Sequence, residues 1–285
     1  EIITFKNYVG LIQIGKTQIE VLPKIDLAED ENNKETKKIF VQMLKSMKDF
    51  PGKIFSMANL KIEKMSLYEI FINMYLQEVR QLVQRGLKSS YVSREDNLRY
   101  FKGKLLIKEH LKKNIAHKER FYVAFDEYQV NRAENRLIKS TLLKLKKLTC
   151  SAENSKEIGQ LLIAFELVDA SLNYDKDFAK VVINRNTEEY ANLMQWSEIF
   201  LRDKSFTTFS GADKGRALLF SMEKVFESYV AKYVNKIFGA AGWNITVQGK
   251  GKYLFDKEND KDFNIFALRP DIVLEKNGKI FIMDT

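Results

Sequence analysis

Cysteine, histidine and proline are scarce in this chain of 285 residues, and each scarcity excludes a class of protein. The lone Cys150 rules out an internal disulfide framework and suits a reducing compartment. Two histidines with one cysteine cannot furnish an ordinary structural zinc site. Only three prolines occur and no stretch is of low complexity, so little of the chain is expected to be disordered. No apolar run approaches the roughly 18 residues that a membrane span requires. The opening Glu1-Ile2-Ile3-Thr4 offers neither a basic leader nor a cleavage site, so the expectation is a cytoplasmic protein without a membrane association. No repeat of solenoid length and no base-reading motif such as a zinc finger is present. The chain also lacks an initiator methionine and stops just after a strand-like run, so both ends read as trimmed.

What is present is enough apolar material for a sizeable core, 45% hydrophobic and 12% aromatic residues, over a length comfortable for two domains. The net charge is +9, and residues 101–150 hold 13 basic against 5 acidic residues. A concentrated basic region favours a polyanionic partner; lysine-rich faces of solvated helices give the same count. Strand patterns over Tyr8–Ile14 and Gln18–Pro23 flank a turn at Gly15-Lys16-Thr17. Helical patterns follow near 33–48 and 66–85, then a mixed basic stretch at 97–130, then helices near 131–148, 155–172, 187–202 and 212–238. In the last of these Leu218, Met222, Phe226, Tyr229, Tyr233 and Ile237 form the apolar stripe, and Gly239 and Gly242 end it. Short strands are expected near 243–248, 251–255, 263–268, 270–275 and 279–284. The fold class is therefore a mixed α+β arrangement of two domains, 1–175 and 176–285.

Gly10-Leu-Ile-Gln-Ile-Gly15-Lys16-Thr17 matches the phosphate-binding loop G-x-x-x-x-G-K-[ST] letter for letter. That loop works only where a helix begins at the lysine and aims its N-terminal dipole at the phosphates. Here the spacer is strand-like, and Thr17 leads into another strand that ends at Pro23. The match is rejected in favour of a hairpin.

The chemistry is concentrated near the C-terminus. Pro270-Asp271 opens the run Ile272-Val273-Leu274-Glu275, the turn Lys276-Asn277-Gly278-Lys279 follows, and Ile280-Phe281-Ile282-Met283 ends on Asp284. The Asn-Gly pair marks a hairpin, and the separation of 13 positions sets an acid at each of two neighbouring places. Two carboxylates on adjacent strands suit Mg²⁺, which prefers oxygen ligands and retains several waters. An acid at a strand end is also commonly just solvated. Upstream, Glu223 and Glu227 sit one helical turn apart, a like-charge spacing that costs a few tenths of a kcal/mol and that a cation would relieve. An exposed polar edge beside Lys224 reads the same way.

Several segments together resemble one family. Leu218–Val230 is similar to its helix with a Phe-Glu signature, and Leu268–Leu274 with Ile280–Thr285 to its catalytic hairpin. Val21–Ile25 and Asn131–Lys139 resemble two further segments in the same order. The family is McrC, the nuclease subunit of McrBC-type restriction systems specific for 5-methylcytosine. The resemblance implies an N-terminal adaptor domain over 1–175, which docks into a hexameric McrB-like AAA+ GTPase and stimulates its GTP hydrolysis. It further implies a PD-(D/E)XK endonuclease domain over 176–285, incomplete at its C-terminus, that cuts double-stranded DNA with Mg²⁺. Asp271 and Asp284 would be the metal ligands, with the backbone carbonyl of Thr285 completing the shell. Glu227 would be the helix carboxylate, with Glu223 as the second candidate. The family's lysine would follow Thr285, outside this sequence, so the fragment itself is expected to be inactive. The alternative reading is a non-catalytic activator of an AAA+ NTPase.

Overall fold

The computed structural model describes residues 7–14, 17–25, 34–48, 50–51, 65–202, 215–249, 252–253 and 267–285. The chain divides into two compact units, one formed by Glu1–Phe71 with Asp203–Thr285 and the other by Ile72–Arg202. This line differs from the expected consecutive segments 1–175 and 176–285, and β pairing between distant parts of the chain is the reason.

In the first unit, β1 (Tyr8–Ile14) pairs antiparallel with β2 (Thr17–Val21), Ile14 facing Thr17. Thr17 therefore enters a strand, as the rejection of the phosphate loop required; Gly15 and Lys16 lie outside the described residues. On its other side β1 pairs antiparallel with β6 (Gly215–Ser221), giving the order β2-β1-β6. Gly10 makes that pairing possible: its φ is 137°, and a Cβ there would lie 2.0 Å from the Leu218 carbonyl oxygen. The core of this unit is aromatic. The Phe220 ring lies 6.3, 5.9 and 6.1 Å from those of Phe40, Phe50 and Phe71, mostly edge to face. Phe40 belongs to helix α1 (Lys34–Leu44) and Phe71 to the start of α2 (Leu67–Arg85), a helix that continues into the second unit.

Residues 215–221 thus form a strand, where the sequence pattern predicted the start of a helix. Leu218 leaves the expected stripe and becomes a buried strand residue. The helix proper, α8, runs Met222–Ala240, and the backbone N–H of Met222 donates to Asn7 O at 2.8 Å. Its buried face also differs from the expected stripe: Val225 and Val234 are buried, whereas Phe226 and Ile237 are 43% and 61% exposed.

Val234 packs with Ile272 and Leu274, joined by Val230, Phe238 and Ile245. Burying each such aliphatic side chain contributes about 1.5–3 kcal/mol. Ile245 belongs to β7 (Asn244–Val247), which pairs antiparallel with β10 (Ile272–Lys276); β10 pairs in turn with β11 (Lys279–Met283). Two short strands, β8 (Lys252–Tyr253) and β9 (Ala267–Leu268), pair with each other. At the far end of α8, Lys276 Nζ donates to Ala241 O at 2.6 Å, a cation on the helix C-terminus where the dipole favours it.

In the second unit a sheet of order β3-β5-β4 combines β3 (Ser90–Leu98), β4 (Lys104–Leu105) and β5 (Phe121–Gln129). Helix α3 (Ile107–Lys113) follows β4, and Lys102 and Lys113 lie over the rings of Phe125 and Tyr122. The helical part comprises α4 (Ala133–Leu148), α5 (Ala152–Ala164), α6 (Tyr174–Phe178) and α7 (Ala191–Arg202). Leu137, Ile138, Leu142 and Leu145 form the buried face of α4, and Trp196 of α7 is fully buried. Among the described residues no helix is long and apolar enough to cross a membrane.

Candidate active site

The β10–β11 hairpin turns on Asn277-Gly278, with φ of 52° and 75°, the two positive values that a type I′ turn demands. Ile272 pairs with Met283 and Val247. One step further along the same register, Gln248, Asp271 and Asp284 follow one another across the ends of the three strands. The backbone N–H of Gln248 donates to Asp271 O at 2.8 Å, and that of Asp271 to Asp284 Oδ1 at 3.3 Å. Thr285 donates its backbone N–H and its hydroxyl to Asp271 Oδ2, at 2.8 and 3.0 Å. The hairpin therefore brings both expected aspartates and Thr285 into one hydrogen-bonded group.

Helix α8 supplies the two glutamates. Asn7 Nδ2 donates to Glu223 Oε1 at 2.9 Å, and Gln248 Nε2 to Glu227 Oε2 at 3.4 Å. Glu223, Glu227 and Asp271 line one cavity of about 540 Å³ together with Lys48, Lys224 and Gln248. Asp284 does not line this cavity and meets it only through Asp271. Among the described residues no group of three or more His, Cys, Asp or Glu side chains stands close enough to hold one metal ion. A Mg²⁺ site is nevertheless commonly completed by one or two carboxylates, water and substrate phosphate. The all-oxygen pair of Asp271 and Asp284 fits that demand.

Asn7, Lys48 and Gln248 are the residues that sequence reasoning missed. Gln248-Gly249 signals the end of a strand, but nothing local names Glu227 as the glutamine's partner.

The segment Asn131–Lys139 has a structural part. Fully buried Asn135 donates to Lys88 O and Val130 O, at 3.0 and 2.7 Å, and accepts from the Tyr190 hydroxyl at 2.9 Å. Burial pushes the Tyr190 hydroxyl up to about 12. Arg136 grips Asp177 through Nε and Nη2 at 3.1 and 2.6 Å, and Arg132 forks onto Glu134.

The chain matches the family model of the McrBC 5-methylcytosine restriction system component over residues 3–285. No curated protein matches it. Two solved assemblies share its fold. One is the refined half-complex from the tetradecameric assembly of Thermococcus gammatolerans McrB AAA+ hexamers with bound McrC. It aligns at 21% identity and a TM-score of 0.71 over 98% of this chain and 62% of that one. The other is the Thermococcus gammatolerans McrBC complex, at 21% identity and a TM-score of 0.61 over 82% of this chain and 67% of that one. The chain thus spans somewhat under two thirds of the length of the first.

Proposed function

The chain belongs to the McrBC 5-methylcytosine restriction system component family, and from that premise we propose that it is the DNA-cleaving subunit of a GTP-driven, modification-dependent restriction complex. Its partner in this reading is a McrB-like AAA+ GTPase hexamer, whose GTP hydrolysis it stimulates, and its substrate is double-stranded DNA. The cleaving part is a PD-(D/E)XK nuclease domain within the first compact unit. The observation that carries the reading is the rung of Asp271 and Asp284 beside the glutamates of α8.

Asp271 and Asp284 would hold Mg²⁺ through their carboxylates, with the Thr285 carbonyl as a further oxygen donor. When bound, the ion lowers the pKa of a coordinated water and stabilises charge on the phosphodiester. The donors of Thr285 fix the Asp271 carboxylate, and Glu227 adds a third carboxylate for the shell of ordered water. Lys48 and Lys224 bring positive charge to the cavity wall, which favours an anionic backbone over a neutral ligand. DNA contact of this kind is dominated by phosphates and weakens steeply with salt.

The non-catalytic activator is the second reading, favoured by the lack of a three-acid cluster among the described residues. One experiment separates the two. In the full-length protein with its GTPase partner, GTP and Mg²⁺, Asp271→Ala and Asp284→Ala are each expected to abolish DNA cleavage and to leave GTPase stimulation unchanged. Cleavage at the unsubstituted rate by either variant would refute the metal assignment.

A further inference from the structure

Among the described residues three non-glycine positions have a positive φ: Asn7 at 59°, Gln248 at 49° and Asn277 at 52°. Asn277 belongs to the hairpin turn, where the turn type demands that backbone. The other two each donate a side-chain amide to one of the α8 glutamates. Asn7 also offers its carbonyl to the first N–H of the helix, so its conformation has a capping role. Gln248 caps nothing.

The left-handed conformation strains a non-glycine residue, and glycine adopts it freely. Such strain persists where surrounding contacts over-determine it, and it clusters at functional sites. At Gln248 the contacts run in two directions. The backbone N–H holds the carbonyl of Asp271, and the side chain holds the carboxylate of Glu227. One residue thus ties the end of the β10 strand to the helix acid across the cavity that both acids line. At 3.4 Å the bond to Glu227 is long.

We propose that Gln248 is a positioning residue: its side-chain amide orients the Glu227 carboxylate toward the ion held at Asp271 and Asp284. The inference rests on the nuclease reading above. Residues that orient metal-site carboxylates typically change metal affinity or activity by about 10–100-fold when removed.

Two substitutions separate positioning from folding. Gln248→Gly removes the amide and also relieves the backbone strain, so it is expected to unfold at or above the unsubstituted temperature. Gln248→Ala removes the amide and keeps the strain. In the full-length protein both are expected to weaken Mg²⁺ binding by about 10-fold, read by calorimetric titration without DNA or partner. The Mg²⁺ concentration for half-maximal cleavage should rise in step. A purely structural glutamine would instead make function follow stability, leaving Gln248→Gly with unsubstituted Mg²⁺ affinity and cleavage. That result would overturn the proposal. Asp271→Ala in the same series distinguishes the failures. If it binds Mg²⁺ and cleaves like the unsubstituted protein, the nuclease site itself is wrong. If it is inactive while Gln248→Gly is unaffected, only the role of Gln248 falls.

Discussion

Replacing Glu78 by glutamine should stabilise the second unit increasingly as the pH rises. Glu78 lies on α2 within the second unit and is 8% exposed, with Oε1 lacking a hydrogen-bond partner. Burial pushes its carboxyl from 4.5 to about 8, against a smaller opposing influence of the Trp196 indole. A carboxyl held above its unfolded value binds its proton more tightly in the folded state. Its ionisation penalty is therefore absent below about 4.5, grows as the pH rises towards 8 and is constant beyond. At 1.36 kcal/mol per unit, the penalty grows by about 3 kcal/mol between pH 5 and pH 7. Glutamine has no proton to lose, so any fixed cost of its amide shifts the difference uniformly and leaves the slope intact. For a unit of this size about 3 kcal/mol corresponds to roughly 10 °C in Tm. Trp196 is buried in the second unit, and the only other tryptophan, Trp243, lies in the first. A Trp243→Phe background therefore makes fluorescence-detected melting report on the second unit alone. A difference in Tm between Glu78→Gln and its parent that stays flat from pH 5 to pH 8 would refute the reasoning.

Gly10→Ala should destabilise the first unit by about 3 kcal/mol or more, since it combines backbone strain of about 1–3 kcal/mol with a Cβ placed 2.0 Å from a carbonyl oxygen. Denaturant unfolding followed through Trp243 would show it, and an unchanged midpoint would count against the β1–β6 pairing. Arg136→Ala should cost the second unit about 3–5 kcal/mol, because Asp177, 6% exposed, then loses its guanidinium partner. The melting transition of Trp196 measures this.

The hairpin carrying Asp271 and Asp284 was readable because every determinant is local: alternating apolar runs, an Asn-Gly turn and an acid at each outer end. The same holds for β1–β2, for α2 and for α4. Strand β6 was not readable. Arg216-Ala-Leu-Leu-Phe-Ser221 runs into α8 without a breaker, and Leu218 falls four positions before Met222, so helical periodicity extends backwards across it. What makes it a strand is its pairing with β1, some two hundred residues earlier. The stripe of α8 failed for a related reason. Val230, Val234 and Phe238 face the three-stranded sheet, whereas Phe226 and Ile237, which fit the period equally well, fall outside that contact. Family-like segments were found by pattern, yet the pattern did not say that Asn131–Lys139 braces the second unit internally.

The second unit, Ile72–Arg202, interrupts the first in sequence, so the sheet of the first unit joins strands from both of its parts. The start of α8 is fixed by β6, and β6 is fixed by β1. Asn7, the residue before β1, thereby reaches Glu223 across a separation of 216 positions. Cutting the chain near 175 would remove β1 and β2 from their sheet, leave β6 without its partner strand and leave the first turn of α8 without Asn7. Of the candidate acids, Glu223 therefore depends on an N-terminal residue for its placement.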